Sequence, residues 1–478
     1  MDKIILAIIH FVFILSIGYY FITAMQWYSY RLERVIFHFN RYDWHGYFFL
    51  IPMIGYYVLD GVALYGFVIV YIASLLFWTR KIDKKLVFTA RVKRFFLFLI
   101  LVSLFTDLLC LSWIHCLKFG VVIPLIIAHL MSIAYEKILF NGFKKEASAK
   151  LMRQPSLKVV AITASYGKTS IKNFLAQILS SELTVYKTPR SVNTLGGIIK
   201  DINESLPEPC DVYIVEAGAR LKGDIDEIAR FVNPHIAVVG SIGEQHIEYF
   251  KTLENIRNTK MEIIHSSRLT KAFIHESARI QPTDTVVSFG SEITHVEATL
   301  DGLAFDMLID GKQEHFTCNL LGAFNTINIA AAIHVAKELG VSVEIIKQNV
   351  LNLKSVEHRL QKIEAGGKLI IDDSFNGNLE GMISSYELID TYQGRKVIIT
   401  PGIVESTEEA NTALAQKIDA IFDLVILTSK ANIKVLDEHI HRAEKIILSD
   451  KTKLQETLAL HTKAGDVILF SNDAPSFI

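Results

Sequence analysis

The sequence predicts an α/β protein with an N-terminal α-helical transmembrane region, because apolar runs fill residues 1–150 and short strands alternate with helices after about residue 154. The charges divide in the same way. Residues 1–150 contain 16 Lys and Arg against 8 Asp and Glu, whereas residues 151–478 contain 33 against 42. A mean hydropathy of +0.32 with 21% charged residues excludes a disordered or fibrous chain. A basic, apolar front and an acidic rear indicate a membrane anchor joined to a water-soluble part.

The apolar runs of the front part are long enough to cross a bilayer, which takes about 20 residues. They lie at residues 4–25, 47–78, 95–113 and 119–135. The second run forms either one long helix or two helices that turn near Asp60 and Gly61, so we expect four or five crossings. Asp60 and Asp107 interrupt the apolar runs. Such acids lie near helix ends or turns, or they mark a transport path.

The loop 79–94 fixes the expected orientation. It carries seven Lys and Arg and one Asp, which places it in the cytoplasm by the positive-inside rule. The third and fourth spans then form a hairpin, so the chain after residue 136 is expected on the cytoplasmic side as well.

The rear part is predicted to contain parallel sheets, since strands and helices alternate along it. Strands are expected at 158–163, 211–216, 235–241, 368–372, 396–400, 423–428, 444–448 and 466–470. Helices are expected at 169–181, 223–231, 252–265, 326–339 and 407–420. Residues 284–319 read instead as a small β-rich insert, with turns at Asp301-Gly302 and Asp310-Gly311. A boundary near 353–356 separates a second α/β unit.

The first predicted strand runs into the sequence ITASYGKTS (162–170) and then a helix. A tight loop with Gly167, Lys168 and Thr169 at a helix N-terminus forms a phosphate cradle. Backbone N–H groups and the helix dipole bind the anion, Lys168 reaches the terminal phosphates, and Thr169 is placed to ligate Mg²⁺. The generic spacing fails because Ile162 stands where the first glycine belongs. The alternative is a surface turn that contains Gly-Lys-Thr by chance.

Other polar residues follow the predicted strands in a suggestive order. Glu216 ends the second strand, His246 follows the third, and Lys260 lies fourteen residues further on. Asn328 lies in a later helix, and Arg359 and Asp373 open the last block. Taken singly, Glu216 reads equally as a solvent-facing carboxylate, His246 as a helix cap and Lys260 as an exposed lysine.

Taken together, these segments resemble the Mur ligase family over about residues 154–478. The strongest pieces are EAGARLKGDI (216–225), IGEQHIEYFKTLENI (242–256), GAFNTINIAAAI (322–333) and DDSFNGNLEGM (372–382). The resemblance implies a transmembrane region over 1–150, a P-loop Mur-ligase central domain over 151–354 and a Rossmann-like C-terminal domain over 355–478. It also implies an ADP-forming amide ligase, one that joins D-Ala-D-Ala to UDP-MurNAc-tripeptide for peptidoglycan synthesis. The location implied is the bacterial inner membrane, multi-pass, with the catalytic domains in the cytoplasm.

Residue by residue, the resemblance implies roles in nucleotide, metal and substrate binding. ATP would bind Gly167, Lys168, Thr169, Ser170, Asn328, Arg359 and Asp373. Mg²⁺ would bind Thr169 and Glu216, with a second ion near His246 and Lys260, the latter as a carbamate. The residues implied in catalysis are Lys168, His246, Lys260 and Arg359. Substrates would contact Asn193 and Thr194, and then Asn376 and Asn378.

The chain departs from the family most strongly at its front, where membrane spans occupy the place of the soluble domain that holds the UDP-sugar. Two alternatives therefore stay open: a ligase for a lipid-linked or other carboxylate acceptor, and an ATP-driven membrane transporter. Nucleic-acid binding is not expected, because the rear part is acidic and phosphate backbones require basic patches.

Overall fold

A computed structural model describes residues 2–28, 30–37, 41–82, 84–114, 118–244, 247–375, 377, 379–403, 406–428, 432–448 and 450–472. It divides into two compact units, Met1–Lys144 and Lys145–Ile478. The first unit is helical and the second is mixed α/β.

Long apolar helices build the first unit. The helices are α1 (Asp2–Trp27), α2 (Leu32–Phe37), α3 (Tyr42–His45), α4 (Ile51–Val58), α5 (Gly61–Lys81), α6 (Ala90–Leu109) and α7 (Val122–Met152), with π-helical turns at Gly46–Leu50 and Cys110–Ile114. Four of the described helices, namely α1, α5, α6 with its π-turn and α7, are long and apolar enough to span a membrane. The second apolar run divides into α4 and α5, as the turn near Asp60 and Gly61 predicts.

The two acids of this unit have different surroundings. Asp60 is the N-cap residue of α5, and its carboxylate lies 3.0 Å from the Lys118 Nζ. This is the polar turn that the sequence allows. Asp107 lies two residues before the end of α6, where it is buried and faces His10 of α1 at 2.7 Å.

Helix α7 continues well past the predicted span 119–135. Its 31 residues have a length of about 46 Å, more than a bilayer core of about 30 Å requires. The final turns belong to the second unit, where Ala147 is fully buried and Leu151 packs against the same apolar cluster. Lys150 donates a hydrogen bond to the Asn203 carbonyl. The helix persists because its last turns are anchored by packing.

A parallel six-stranded sheet forms the first layer of the second unit. Its strands are β1 (Lys158–Thr163), β2 (Val185–Lys187), β3 (Val212–Glu216), β4 (Ile236–Val239), β5 (Lys271–His275) and β6 (Val286–Phe289), in the order β2-β3-β1-β4-β5-β6. Apolar side chains on both faces bury the sheet, as expected for parallel strands. The carboxyl ends of β1, β3 and β4 meet at one edge, which is where ligands bind in such sheets.

Helices cover this sheet on both faces. They are α8 (Lys168–Leu179), α9 (Leu195–Ser205), α10 (Asp224–Val232), α11 (Ile247–Phe250), α12 (Leu253–Met261), α13 (Asn325–Glu338) and α14 (Val343–Leu351). The insert is an antiparallel sheet of β7 (Ile293–Thr299), β8 (Gly302–Ile309) and β9 (Lys312–Cys318). The insert was predicted to begin at 284, but β6 pairs in parallel with β5 and belongs to the large sheet.

A second six-stranded sheet follows. Its strands are β10 (Gln361–Ala365), β11 (Lys368–Asp373), β12 (Lys396–Thr400), β13 (Leu424–Leu427), β14 (Glu444–Ile447) and β15 (Val467–Ser471), in the order β10-β11-β15-β12-β13-β14. All pairs are parallel except β10 with β11. The helices here are α15 (Leu379–Asp390), α16 (Glu408–Ile421), α17 (Ile433–His439) and α18 (Leu454–His461). Domain boundaries at 150/151 and 354/355 stay predictions.

Candidate nucleotide and metal site

The loop between β1 and α8 has the backbone that a phosphate cradle needs. Gly167 is the N-cap residue of α8 and has a φ of +82°, a left-handed conformation that favours glycine. A Cβ atom at this position would lie 2.1 Å from the Asn328 Oδ1, so a larger residue would displace the Asn328 side chain. Helix α8 begins at Lys168, shortly after the carboxyl end of β1, and the N–H groups and dipole of a helix N-terminus favour an anion.

Lys168 is the first residue of α8 and is turned back onto the loop. Its Nζ donates hydrogen bonds to the carbonyls of Ala164 at 2.7 Å and Ser165 at 3.1 Å. Burial lowers the pKa of Lys168 to about 8, against an opposing effect of the Glu216 carboxylate, and Arg359 lowers it further. An anionic phosphate at this place would restore the charge of the ammonium group, which matches the predicted role of Lys168.

Glu216, at the end of β3, contacts several of the other polar side chains of the site. Its carboxylate is almost fully buried and accepts hydrogen bonds from the Thr169 hydroxyl at 3.1 Å and from the Asn193 amide at 3.2 Å. The structure therefore brings the two predicted Mg²⁺ ligands, Thr169 and Glu216, together with Asn193, a predicted substrate contact. Thr194, predicted beside Asn193, is exposed, and its side chain caps α9 by accepting a hydrogen bond from the Gly197 N–H.

A third partner of Glu216 is Lys172, which the sequence analysis did not single out. The Lys172 Nζ lies 3.0 Å from the Glu216 Oε2, and both side chains are buried. It also donates a hydrogen bond to the carbonyl of Arg190. Since Lys172 lies four residues after Lys168, both project from neighbouring turns of one helix face. That spacing is the signal by which Lys172 could have been found.

Replacing Lys172 by Met is expected to lower the free energy of unfolding of the α/β unit by about 3 kcal/mol, because it leaves the Glu216 carboxylate buried without its cation. Denaturant unfolding followed by far-UV circular dichroism measures the change. The double variant Lys172→Met, Glu216→Gln is expected to be more stable than Lys172→Met alone. Lys200→Met is the matched control, since Lys200 is exposed on α9. Equal stability of Lys172→Met and the control would contradict this account.

Lys260 lies in α12 and is only 2% exposed. Burial holds its pKa well below the usual range, and the neighbouring charge of Lys168 acts in the same direction, against Asp224 and Glu262. The exposed-lysine interpretation is therefore wrong for Lys260. His246, Asn376 and Asn378 lie outside the described residues.

Two charged residues at or next to the second sheet also act on this site. Arg359 precedes β10 and Asp373 ends β11; the charges of Glu216 and Asp373 both act on the Arg359 guanidinium. Asp373 accepts a hydrogen bond from the Ser385 hydroxyl at 2.8 Å. Burial raises the pKa of Asp373 to about 6, while Ser385 and Arg359 oppose the shift. The site is thus built from the edges of both large sheets.

The remaining predicted nucleotide residues lie in the two helices next to the loop. Ser170 is buried in the first turn of α8, and Asn328 is buried in α13. The Asn328 amide donates a hydrogen bond to the Asn325 Oδ1 at 2.9 Å. Helices α8 and α13 pack together, so Asn328 lies directly beside the loop, as its approach to Gly167 shows.

The donor set fits Mg²⁺. The Thr169 hydroxyl and the Glu216 carboxylate are adjacent hard oxygen ligands, of the kind that bind Mg²⁺ together with phosphate oxygens. Among the described residues, no group of three His, Cys, Asp or Glu side chains is arranged to hold a metal by itself.

We expect the affinity for ADP to fall on both sides of a neutral optimum. Above about pH 8 Lys168 loses its proton in the free protein, and below about pH 6 Asp373 gains one. On the alkaline and on the acid side of the optimum, the affinity for ADP approaches a tenfold loss per pH unit, because one proton is linked to binding on each side. Calorimetric titration with ADP from pH 5 to 9 measures both arms. In Lys168→Ala the alkaline arm should disappear and the acid arm should remain; an unchanged alkaline arm would contradict the assignment.

Residues 162–336 match the family model described as the Mur ligase middle domain. This part of the chain is therefore a Mur ligase middle domain, which confirms the resemblance predicted from the motifs within it. The matched range includes the loop at Gly167, Glu216 and Asn328.

Several individual proteins and solved structures are similar to this chain. The UDP-N-acetylmuramoyl-tripeptide--D-alanyl-D-alanine ligase of Bacillus subtilis (strain 168) is 25% identical over 340 residues, which are 67% of this chain and 74% of the relative. The crystal structure of MurF ligase from Thermotoga maritima in complex with ADP is 27% identical, with a TM-score of 0.61 over 70% of this chain and 80% of that one. MurF from Acinetobacter baumannii, at 23% identity and a TM-score of 0.63 over 70% and 77%, shows the same fold.

Proposed function

We propose that this chain is an ATP-dependent, ADP-forming ligase that joins D-Ala-D-Ala to the peptide carboxylate of UDP-MurNAc-tripeptide, a step of peptidoglycan precursor synthesis. The observation that carries the proposal is the loop at Gly167, beside which the Thr169 hydroxyl donates a 3.1 Å hydrogen bond to the buried Glu216 carboxylate. The charge of Arg359 acts on Lys168, and the charge of Asp373 acts on Arg359. Relatives that bear the name of this ligase support the choice of substrates.

The chemistry needs an activated carboxylate. An acceptor carboxylate oxygen attacks the γ-phosphorus of ATP, the bond to the β–γ bridging oxygen breaks, and ADP leaves with an acyl phosphate formed. The amine of the dipeptide then adds to the acyl carbon, the tetrahedral intermediate expels inorganic phosphate, and the amine loses a proton. Phosphoryl transfer depends mainly on positioning and charge neutralisation, which are the roles of Lys168, the N-terminus of α8 and Arg359.

Mg²⁺ would be held by Thr169 and Glu216, where it supplies positive charge beside the phosphates. Lys172 keeps the Glu216 carboxylate in place through its 3.0 Å contact. His246 is proposed to lie near a second ion, on the basis of the family resemblance alone.

Lys260 is proposed to carry a carbamate. A neutral lysine amine adds to CO₂ with formation of an N–C bond and loss of one proton, and burial favours the neutral amine here. The product is a carboxylate-like anion in place of a buried cation. It would be the second acidic group of the metal site besides Glu216.

Substrate contacts are assigned with the same logic. The Asn193 amide donates a hydrogen bond to the Glu216 carboxylate. An acceptor substrate that binds at Asn193 would therefore lie next to the carboxylate that is proposed to hold Mg²⁺. Thr194 and the dipeptide contacts Asn376 and Asn378 follow from the family resemblance. Asn328 is proposed as an adenine contact and Asp373 as a ribose contact.

The first unit is proposed to be a multi-pass anchor in the bacterial inner membrane, with the ligase in the cytoplasm. Four helices of sufficient length and apolarity support this placement. Between α5 and α6, the basic loop is anchored to α1 by two hydrogen bonds that join the Gln26 side chain and the Val87 backbone, each 2.9 Å long. Its excess of positive charge supports a cytoplasmic position.

Omission of single substrates tests the proposal. Purified full-length protein with ATP, Mg²⁺, UDP-MurNAc-tripeptide and D-Ala-D-Ala is expected to release ADP only when acceptor and dipeptide are both present. ADP release at the same rate with and without the dipeptide would contradict the substrate assignment. Hydrolysis stimulated by a solute in sealed vesicles, without amide product, would favour the transporter instead.

A second candidate function keeps the reaction and changes the acceptor to a lipid-linked precursor. The apolar helices of the first unit favour it, because they would hold the enzyme where such a precursor lies. Turnover is compared on UDP-linked and lipid-linked acceptors in the same nanodiscs. Exclusive use of the soluble acceptor would remove this candidate.

A further inference from the structure

Arg359 lies between two residues whose backbone is in the left-handed conformation. His358 has a φ of +62° and Leu360 has a φ of +47°, values that residues other than glycine rarely adopt. Such conformations are costly and persist only where the surrounding structure enforces them. The bend at residues 358–360 must therefore be held in place by its contacts.

The imidazole of His358 is fixed by a buried acid of β11. Its Nδ1 donates a hydrogen bond of 2.7 Å to the Asp372 Oδ2, because an ionised carboxylate only accepts hydrogen bonds. The Asp372 side chain is fully buried, and its other oxygen accepts hydrogen bonds from the hydroxyl and the N–H group of Ser374. The His358 Nε2 faces the exposed Glu357 carboxylate at 3.7 Å. Asp372 is thus the closer and the buried one of these two acidic contacts.

Leu360 holds the other side of Arg359. Its side chain is 1% exposed and belongs to the same apolar cluster as Ile371 of β11. Burial raises the pKa of Asp373 to about 6, and a backbone hydrogen bond with Leu360 is one of the interactions that oppose this rise. The consecutive acids Asp372 and Asp373 therefore contact the residue before and the residue after Arg359.

The segment that follows β11 also contacts the bend. The Phe375 N–H donates a 3.3 Å hydrogen bond to the His358 carbonyl, and the Arg359 guanidinium lies 5.1 Å from the Phe375 ring centroid. The Arg359 N–H donates a hydrogen bond to the Val356 carbonyl at 3.1 Å, which closes the turn. The end of β11 and the residues after it thus form one frame around Arg359.

We propose that His358 and Asp372 are positioning residues for Arg359, and that their hydrogen bond sets the place of the guanidinium at the γ-phosphate of ATP. This role rests on the proposed function, in which Arg359 neutralises the transferred phosphoryl group. His358 acts through the backbone that it shares with Arg359 and takes part in no chemical step. Positioning matters because a displacement of about 1 Å costs about 10²-fold in rate.

The placement of Arg359 is measured by the binding of adenylyl imidodiphosphate, an ATP analogue that is not hydrolysed. Calorimetric titration of full-length protein with Mg²⁺ and either the analogue or ADP separates the γ-phosphate contact from the other nucleotide contacts. His358→Gly removes the imidazole, and glycine accepts the φ of +62°. We expect its affinity for the analogue to fall about tenfold and its affinity for ADP to change by less than about twofold.

Two further variants separate positioning from a chemical role of the imidazole. In His358→Asn the amide nitrogen takes the place of Nδ1, and asparagine tolerates the left-handed conformation. In His358→Gln the amide nitrogen takes the place of Nε2 instead. We expect His358→Asn to keep the wild-type affinity for the analogue and His358→Gln to lose about tenfold. If His358→Gly does not fold, this pair of variants decides.

The Arg359→Ala background tests whether His358 acts through Arg359. There, His358→Gly is expected to change the affinity for the analogue by less than about twofold, because the effects of residues that act as a unit do not add. His315→Ala is the control, since the His315 side chain is 62% exposed on β9, and it should keep both affinities.

Three results would overturn the proposal: an unchanged affinity for the analogue in His358→Gly, equal affinities in His358→Asn and His358→Gln, or a loss that persists in the Arg359→Ala background. Nucleotide binding needs no acceptor, so this outcome is separate from that of the proposed substrates. A wild type that forms no amide with D-Ala-D-Ala, together with variants that bind as expected, would remove the substrate assignment and leave the positioning role. A wild type that binds neither nucleotide would contradict both.

Discussion

Replacing Lys168 by Ala is expected to lower kcat/KM for ATP by about 10³-fold, the scale found when one charge-stabilising group is removed from a transition state. Lys168 lies at the N-terminus of α8, and its Nζ donates hydrogen bonds to the loop carbonyls of Ala164 and Ser165. When phosphate binds, this ammonium group is the nearest protein cation supplied by the loop. Steady-state release of ADP in the presence of both other substrates measures the effect.

Lys200→Ala is the matched control for Lys168→Ala. Lys200 lies on α9 of the same unit, its side chain is 72% exposed, and its ion pair with Glu204 is long at 3.8 Å. The control should keep wild-type turnover. A turnover of Lys168→Ala that equals the control would show that the loop does not bind the transferred phosphate.

Replacing Arg359 by Ala is expected to lower kcat by about 10³-fold, as for arginines that neutralise a transferred phosphoryl group. The effect on ADP affinity should be much smaller, because ADP lacks the γ-phosphate that Arg359 is proposed to contact. The guanidinium lies 5.1 Å from the Phe375 ring centroid and is influenced by Glu216 and Asp373. Single-turnover kinetics and ADP titration separate the two effects.

Arg230→Ala serves as the control for Arg359→Ala, since Arg230 is 68% exposed on α10 and pairs only with Asp226 among the described ion pairs. Its turnover should stay at the wild-type level. If Arg359→Ala lost ADP affinity and kcat in equal proportion, Arg359 would be a ground-state binding residue.

The sequence predicted the main elements of the site because their patterns are local. The apolar run of β1, the loop at Gly167 and the amphipathic α8 follow one another without interruption, and the structure has β1 at the predicted bounds. Three strands were not predicted. β2 has only three residues, β5 is a short run that ends in His275, and β10 is a polar edge strand with alternating exposure. Such strands are formed by pairing with neighbours, which a local pattern does not reveal.

The charged groups of the site could be predicted only in part. Glu216 and Lys168 were recognisable from strand-end and loop positions, whereas Lys172 reads in the sequence as one polar residue of a helix. Its role arises because β3 lies next to β1, so that the end of β3 faces α8. Similarly, the pairing of His10 with Asp107 joins residues 97 positions apart and depends on how α1 packs against α6.

The most direct test of carboxylate activation by ATP follows the oxygen atoms of the acceptor. UDP-MurNAc-tripeptide labelled with ¹⁸O in its terminal carboxylate is incubated with full-length protein, ATP, Mg²⁺ and D-Ala-D-Ala, and the products are analysed by mass spectrometry. We predict one ¹⁸O atom in inorganic phosphate for each amide formed, because an acyl phosphate must pass one carboxylate oxygen to phosphorus. Amide product with unlabelled phosphate, or labelled phosphate without the D-Ala-D-Ala adduct, would contradict the proposed reaction.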